Sequence, residues 1–397
     1  MTALFVKKTL ALAVLGSLGS MAYAQSSVQL YGIVDAAVRH TTNEGKDKSG
    51  KTQMIGGGMS QSRWGINVTE DLGGGLAAIA NLENRFTTDN GEQAAGQPYF
   101  AQSWVGLRSK SFGQLTMGRQ YNMLFDLVTS TYSSFPYSPY MEAYKPEIGM
   151  SMGARANNML KYVAEFGPVR GALQYSFDEG NTFDKLGAGI NTGAIRTAGG
   201  YLRYSDNGVS AGLGYLTAKL PAGTKMDALT VGGSYRSGPL YLNLGYGYNK
   251  RKDNFPAATA GGLTDAGLVN AYWATGANGG FSPGVFDMTN IPATAMGLAD
   301  QANKRQMFKV GFGYQITPQV NAGLHYYHAK QSGSASGTYN GKANFFVAAV
   351  DYAFSKRTDA YFAVDYTKTS GGSGVVVDGS NLATKRTGIT AGLRHRF

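Results

Sequence analysis

The reactive side chains of this sequence are charges rather than nucleophiles. Its 397 residues hold 36 Lys and Arg, 25 Asp and Glu, four His and no Cys, for a formal net charge of +11. The absence of cysteine removes disulfides, thiolate metal sites and thiol catalysis together. The four histidines, His40, His325, His328 and His395, are dispersed. His325 and His328 have opposite parity on one strand, so they cannot work side by side as acid and base. Gly45-Lys46 and Gly341-Lys342 lack the upstream glycine of a phosphate-binding loop. Asp351 and Asp365 alternate along strands without metal-ligand spacing. What remains is a set of charges on the polar parity of otherwise apolar segments: Arg63, Glu83 with Arg85, Arg155, Lys161, Arg170 and Lys309. Such charges act on ions and small solutes only where an architecture gathers them.

That architecture is written as alternation. In the terminal GITAGLRHRF, Ile389, Ala391, Leu393 and Phe397 share one parity, and Thr390, Arg394 and Arg396 the other. Strand side chains change face at every residue, so the segment has one greasy side and one wet, basic side. VQLYGIVDAAV, VRGALQYSFDEG, PLYLNLGYGYNK and QMFKVGFGYQI repeat the pattern. A soluble sandwich alternates too. Two features favour the inverted arrangement. Aromatics such as Tyr246, Tyr248, Tyr352 and Phe354 collect near strand ends, as in membrane girdles, and short turns alternate with long polar loops around 40–60, 121–154, 252–303 and 370–384. About sixteen segments can be counted, beginning near 28 and ending at 397, which predicts an all-β, transmembrane antiparallel β-barrel. An even count brings the termini together, so the last strand can pair with the first.

The first residues concern export. Lys7 and Lys8, the apolar TLALAVLGSLG and the Ala22-Tyr23-Ala24 cleavage signal describe a signal peptide over 1–24. The apolar run is well short of the ~20 residues of a spanning helix. A mature barrel over 25–397 is left with 373 residues (397 − 24) and a formal charge of +9 (+11 − 2).

LYGIVDA (30–36), SRWG (62–65), EDLGGGLAAIANLE (70–83), SWVGLRSKSFGQLTMGRQY (103–121), NNMLKY (157–162) and the terminal Phe397 resemble, in order and spacing, the Gram-negative general diffusion porins, especially the trimeric β-proteobacterial group. The resemblance implies sixteen strands, a third loop folded into the lumen, and a homotrimer in the outer membrane. It implies lipid and lipopolysaccharide around the barrel, the barrel-assembly machinery as a partner, and passage of small hydrophilic solutes and inorganic ions. No cofactor and no nucleic acid are expected. Arg63 and Arg155 fall where the family places wall arginines, and Arg85 and Lys161 join them on the inward parity. Opposite, Pro146-Glu147-Ile148-Gly149 resembles the family's loop turn, which makes Glu147 a lumen carboxylate; Glu142, Asp126 and the wall residue Glu83 are further acidic candidates. Phe397 is the implied assembly signal. Two usual basic positions are lost, to Ala101 and Ile33, which tempers the implied preference for anions. Arg119 of GRQY lines the lumen or supports packing between subunits, the second being favoured.

Three other readings compete. A barrel enzyme needs a positioned acid, base or nucleophile, and the sequence offers no such cluster. A substrate-specific channel would line inward tyrosines, here Tyr31, Tyr201, Tyr241 and Tyr327, along the solute path, and a receptor would carry an internal plug. A soluble exported β-protein conflicts with the inside-out pattern.

Overall fold

The computed structural model describes residues 26–45, 47–94, 98–134, 151, 154–177, 196–219, 225–251, 302–377 and 381–397. The chain runs through β1 (Ser27–Thr41), β2 (Lys51–Gly56), β3 (Arg63–Gly73), β4 (Leu76–Arg85), β5 (Gln102–Ser109) and β6 (Gly113–Tyr121) to a short helix, α1 (Met123–Thr131). It continues through β7 (Arg155–Phe166), β8 (Val169–Ser176), β9 (Arg196–Asp206), β10 (Val209–Lys219), β11 (Lys225–Ser237) and β12 (Leu240–Arg251). The last strands are β13 (Lys304–Gln315), β14 (Val320–Ser332), β15 (Gly341–Ala353), β16 (Thr358–Gly371) and β17 (Lys385–Arg396). All neighbours are antiparallel. The peptide leader expected over 1–24 lies outside the described residues.

Both β2 and β3 run along β1. β3 pairs with its first half, Val28 opposite Val68, and β2 with its second half, Ala36 opposite Gly56. Together they form one stave, so the closed barrel is sixteen-stranded. The loop expected over 40–60 is therefore half strand. The break falls at GGMSQS, residues 57–62, where Gly57 adopts a φ of 91° and the chain turns into the interior. That conformation suits glycine, which has no Cβ to clash.

Alternation produces an inside-out molecule. Leu30 is 60% exposed and Leu173 63%, whereas Gln174, Lys309 and Thr390 are buried on the inner face. The outer face is the one that lipid would cover, as an apolar band requires. Closure follows from the terminal strand: β17 pairs with β1 from Ile33 opposite Arg396 to Thr41 opposite Gly388. Gly32 and Phe397 then exchange both backbone hydrogen bonds, at 3.0 and 3.1 Å. The phenylalanine ring lies directly over Gly32, where any Cβ would come within 2.2 Å of it.

The third loop folds inward as expected. Asn122 caps α1 by accepting from the Phe125 N–H at 2.9 Å, and Met123 N–H donates to Gln174 on the wall. Leu124 and Leu127 bury against the inner face, where Gly199, Gly212 and Gly214 make room: a Cβ at any of them would strike Met123, Leu127 or Leu124. Beyond the helix, Tyr132 and Ser134 reach Thr230 on β11 and Tyr327 on β14, and Lys309 on β13 donates to Ser134 at 3.2 Å. The described part of the loop thus runs inside the barrel along the wall from β8 to β14.

Across the seam, Arg39 on β1 holds Asp365 on β16 with contacts of 2.7 and 3.1 Å, and Thr390 on the intervening β17 at 2.7 Å. Breaking such a buried pair leaves a charge uncompensated, at about 3–5 kcal/mol. Asp365→Asn should lower the unfolding free energy of the lipid-inserted barrel by about that amount, read from its denaturant midpoint. A much smaller loss is expected from the double replacement Arg39→Met with Asp365→Leu.

Candidate pore constriction

Three arginines converge on one carboxylate at the level where α1 enters the lumen. Arg63 and Arg85 are cross-strand partners on β3 and β4, and Glu83 lies two residues from Arg85 on the same face. Period-two geometry alone aims all three inward. Arg155, at the start of β7, faces Tyr121 at the end of β6. Glu83 Oε1 lies 3.0 Å from Arg85 Nε and 3.6 Å from Arg155 Nη2, and Oε2 lies 3.9 Å from Arg63 Nη1. Each guanidinium is nearly or fully buried.

Neutral groups hold the arginines apart. Tyr121 Oη accepts from Arg85 Nη2 and, at 3.1 Å, from Arg155 Nη2, while the Arg155 guanidinium stacks 4.5 Å from the Tyr121 ring centroid. Gln61 accepts from Arg85 Nη1 at 2.7 Å through its side chain and from Arg63 Nε at 3.0 Å through its carbonyl. Tyr31 Oη donates to Glu83 Oε2 at 3.2 Å and accepts from Asn81 at 2.9 Å. Guanidiniums suit this role because they stay charged and present several donors in a fixed fork.

Gln61 sits on the inward tongue of residues 57–62, and Asp35 anchors that tongue. Its carboxylate accepts from the N–H groups of Gly58, Met59 and Ser60 at 3.1, 3.1 and 2.7 Å, and from Tyr361 Oη at 2.5 Å. Arg394 secures Ser60 from the other side at 2.6 Å while holding Asp359 at 2.8 Å.

The remaining candidates divide. Lys161 does not join the three arginines: its Nζ contacts Asp126 on α1 at 2.6 Å and the Tyr121 carbonyl at 2.9 Å. That pair fastens the inward loop to the wall. Glu142 and Glu147 lie outside the described residues. Ala101 is fully buried, donating its N–H to the Glu83 carbonyl, and Ile33 faces Arg63. Arg119 follows the outward parity of Met117, opposite Ser103, and donates to Asn157. A β-bulge opposite it, with the extra residue on β7 around Asn157 and Asn158, shifts the register and sets Arg155 against Tyr121. Sequence reasoning missed Tyr121, Gln61 and Asn81. Tyr121 ends its strand opposite an irregular stretch of β7 that parity cannot foresee, and Gln61 sits in a break within a strand.

Removing the carboxylate at the centre of this group leaves three guanidiniums facing one another, a change of the kind that costs about 3–5 kcal/mol. Glu83→Gln should therefore lower the denaturant midpoint of the folded barrel. A further replacement, Arg63→Gln, should restore part of that loss.

A family model described as Gram-negative porin matches residues 11–372. Outer membrane porin protein 32 of Delftia acidovorans is 37% identical over 248 residues, covering 60% of this chain and 68% of its own length. An outer membrane porin protein of Bordetella pertussis is 28% identical, over 99% of this chain and 100% of its own. Among solved structures, the anion-selective porin from Comamonas acidovorans has a TM-score of 0.66 at 23% identity, covering 94% of this chain and 100% of its own. A trimer form of OmpT from Vibrio cholerae has a TM-score of 0.61 at 15% identity, covering 94% of this chain and 99% of its own. A sixteen-stranded barrel closed on its own last residue, an inward third loop and a match along nearly the whole chain place this protein in the Gram-negative porin family, as a porin of the outer membrane.

Proposed function

We propose that this outer-membrane porin passes small hydrophilic solutes and ions by general diffusion with a modest preference for anions, and that it works as a homotrimer. The observation that carries the preference is the convergence of Arg63, Arg85 and Arg155 on Glu83, three described cations to one described anion. In a narrow lumen with low-dielectric walls such a surplus acts with several times its strength in bulk water. The Comamonas relative in fold is called anion-selective and the Vibrio one is described as a trimer form, which agrees with this reading. Lys161 and Asp126 neutralise each other, so the loop helix adds little field of its own.

Tyrosine placement speaks against a solute-specific channel. Tyr201, Tyr241 and Tyr327 point inward but are buried beneath the third loop, with Tyr241 donating to the Ser133 carbonyl at 2.8 Å. Their rings pack the loop instead of lining a path along the lumen. Residues 1–24 would direct export, Glu147 and Glu142 would face the arginines from the loop, and the exposed Phe397 ring would be read during assembly into lipid and lipopolysaccharide.

Swelling of protein-loaded liposomes tests the reading. Uncharged sugars should enter at rates that fall with size, and small anions faster than cations of equal size. Arg63→Gln with Arg155→Gln should abolish or reverse the modest anion advantage, since the two lost charges together remove on the order of 2 kcal/mol of local attraction. An unchanged ratio in a folded double variant would place selectivity elsewhere.

A further inference from the structure

Below α1, towards the short-turn rim, the inner wall carries charge that the constriction does not use. Arg170 on β8 and Arg203 on β9 are directly opposite each other in the register. Both face inward, because their neighbours Val169, Leu202 and Tyr204 are exposed on the outer side. Directly opposed residues hold their Cβ atoms roughly 4.5–5.5 Å apart, and like charges in that position repel. Only part of this is relieved within the wall. Glu165, across from Arg170 on β7, brings Oε1 to 3.4 Å from Arg170 Nε. Arg203 makes no ion pair among the described residues, and its Nε is buried without a hydrogen-bond partner.

A second, independent observation points to the same place. Tyr201, two residues before Arg203 on the same face, is 4% exposed and packs with Leu124 and Leu127 of the loop helix. Its hydroxyl is buried and has no hydrogen-bond partner among the described residues. Native folds rarely keep such a group without something to satisfy it. Asp126, the nearby carboxylate on α1, is already held by Lys161. Beyond Ser205, two residues after Arg203 on the same face, lies a cavity of about 560 Å³ under the end of α1, lined by Ser205, Ser210, Ser234, Arg236 and Asp206.

We propose that Arg170, Arg203 and Tyr201 form a second anion station between the constriction and the short-turn mouth, taking small multivalent oxyanions. Two guanidinium forks side by side match the oxygen pairs of a carboxylate or a phosphate. The tyrosine hydroxyl supplies a third donor, and the cavity beyond Ser205 provides room for the rest of the molecule. The station rests on the open, anion-preferring lumen proposed above.

Single channels in a planar bilayer, bathed in potassium chloride, test this by titration with succinate and with inorganic phosphate. Either probe should reduce the current of the native protein. The double variant Arg170→Gln/Arg203→Gln should raise the half-blocking concentration at least tenfold, and Tyr201→Phe about threefold, with the folded oligomer's gel mobility unchanged. Block by succinate alone assigns the station to dicarboxylates, by phosphate alone to tetrahedral oxyanions, and by both to oxyanions in general. Where the double variant loses its barrel, Arg203→Lys, which keeps the charge but loses the fork, should still weaken block severalfold. A conducting channel that neither probe blocks, or block that these variants leave unchanged, overturns the station and leaves the porin reading standing. Absence of any conductance would overturn that reading instead. Calorimetric titration of the detergent-folded protein and its double variant with the same probes would then decide the station: heat of binding that the variant loses supports it, and none from the native protein refutes it.

Discussion

Hydrocarbon offers no hydrogen bond, so every backbone N–H and C=O that crosses it needs a partner within the protein. The pairing of β17 with β1 meets that requirement, and the rest of the structure depends on it. Without the ladder from Ile33–Arg396 to Thr41–Gly388, the sheet would have two open edges in lipid. With it, the inner face becomes a closed wall, and charges on alternate residues are forced to share one lumen. The seam is reinforced where it matters. Arg39–Asp365 with Thr390 ties three neighbouring strands near the loop side, and nearer the turn side Arg394 on β17 holds Asp359 on β16 and Ser60 of the tongue.

Closure also creates a space that must be shaped. Two inward segments share that task from different walls. The third loop settles on a glycine-lined stretch of β9 and β10, where small residues leave room for Met123, Leu124 and Leu127. The tongue of residues 57–62 settles on Asp35, whose carboxylate gathers three consecutive backbone N–H groups. Gln61, at the end of that tongue, then grips both Arg63 and Arg85. The position of the basic group is thus tied back to the seam through Asp35, Tyr361 and Arg394 rather than left to the rotamers of long side chains.

Much of this was legible from residue order. Period-two patterning assigned Arg63, Glu83, Arg85, Lys161 and Arg170 to the inner face, and the loop and turn lengths indicated a barrel near sixteen strands. Parity fixes a face but not a height or a partner. It therefore grouped Lys161 with the arginines, although an acidic residue on the loop helix takes it up. Irregular backbone escaped for a related reason. The break at 57–62 and the bulge of β7 opposite Arg119 interrupt the period on which the reading relied; the first delivers Gln61 to the constriction and the second sets Arg155 against Tyr121. Inward tyrosines were correctly assigned to the lumen face, but sequence could not say that a loop would cover Tyr201, Tyr241 and Tyr327.

The central claim is that the wall around Glu83 makes the lumen net attractive to anions. The zero-current potential of the native protein across a potassium chloride gradient measures that directly, without any substitution. An anion-favouring potential that weakens as total salt rises, as screening of wall charge requires, is the predicted result. A cation-favouring potential would contradict the account and transfer control of the pore to its carboxylates.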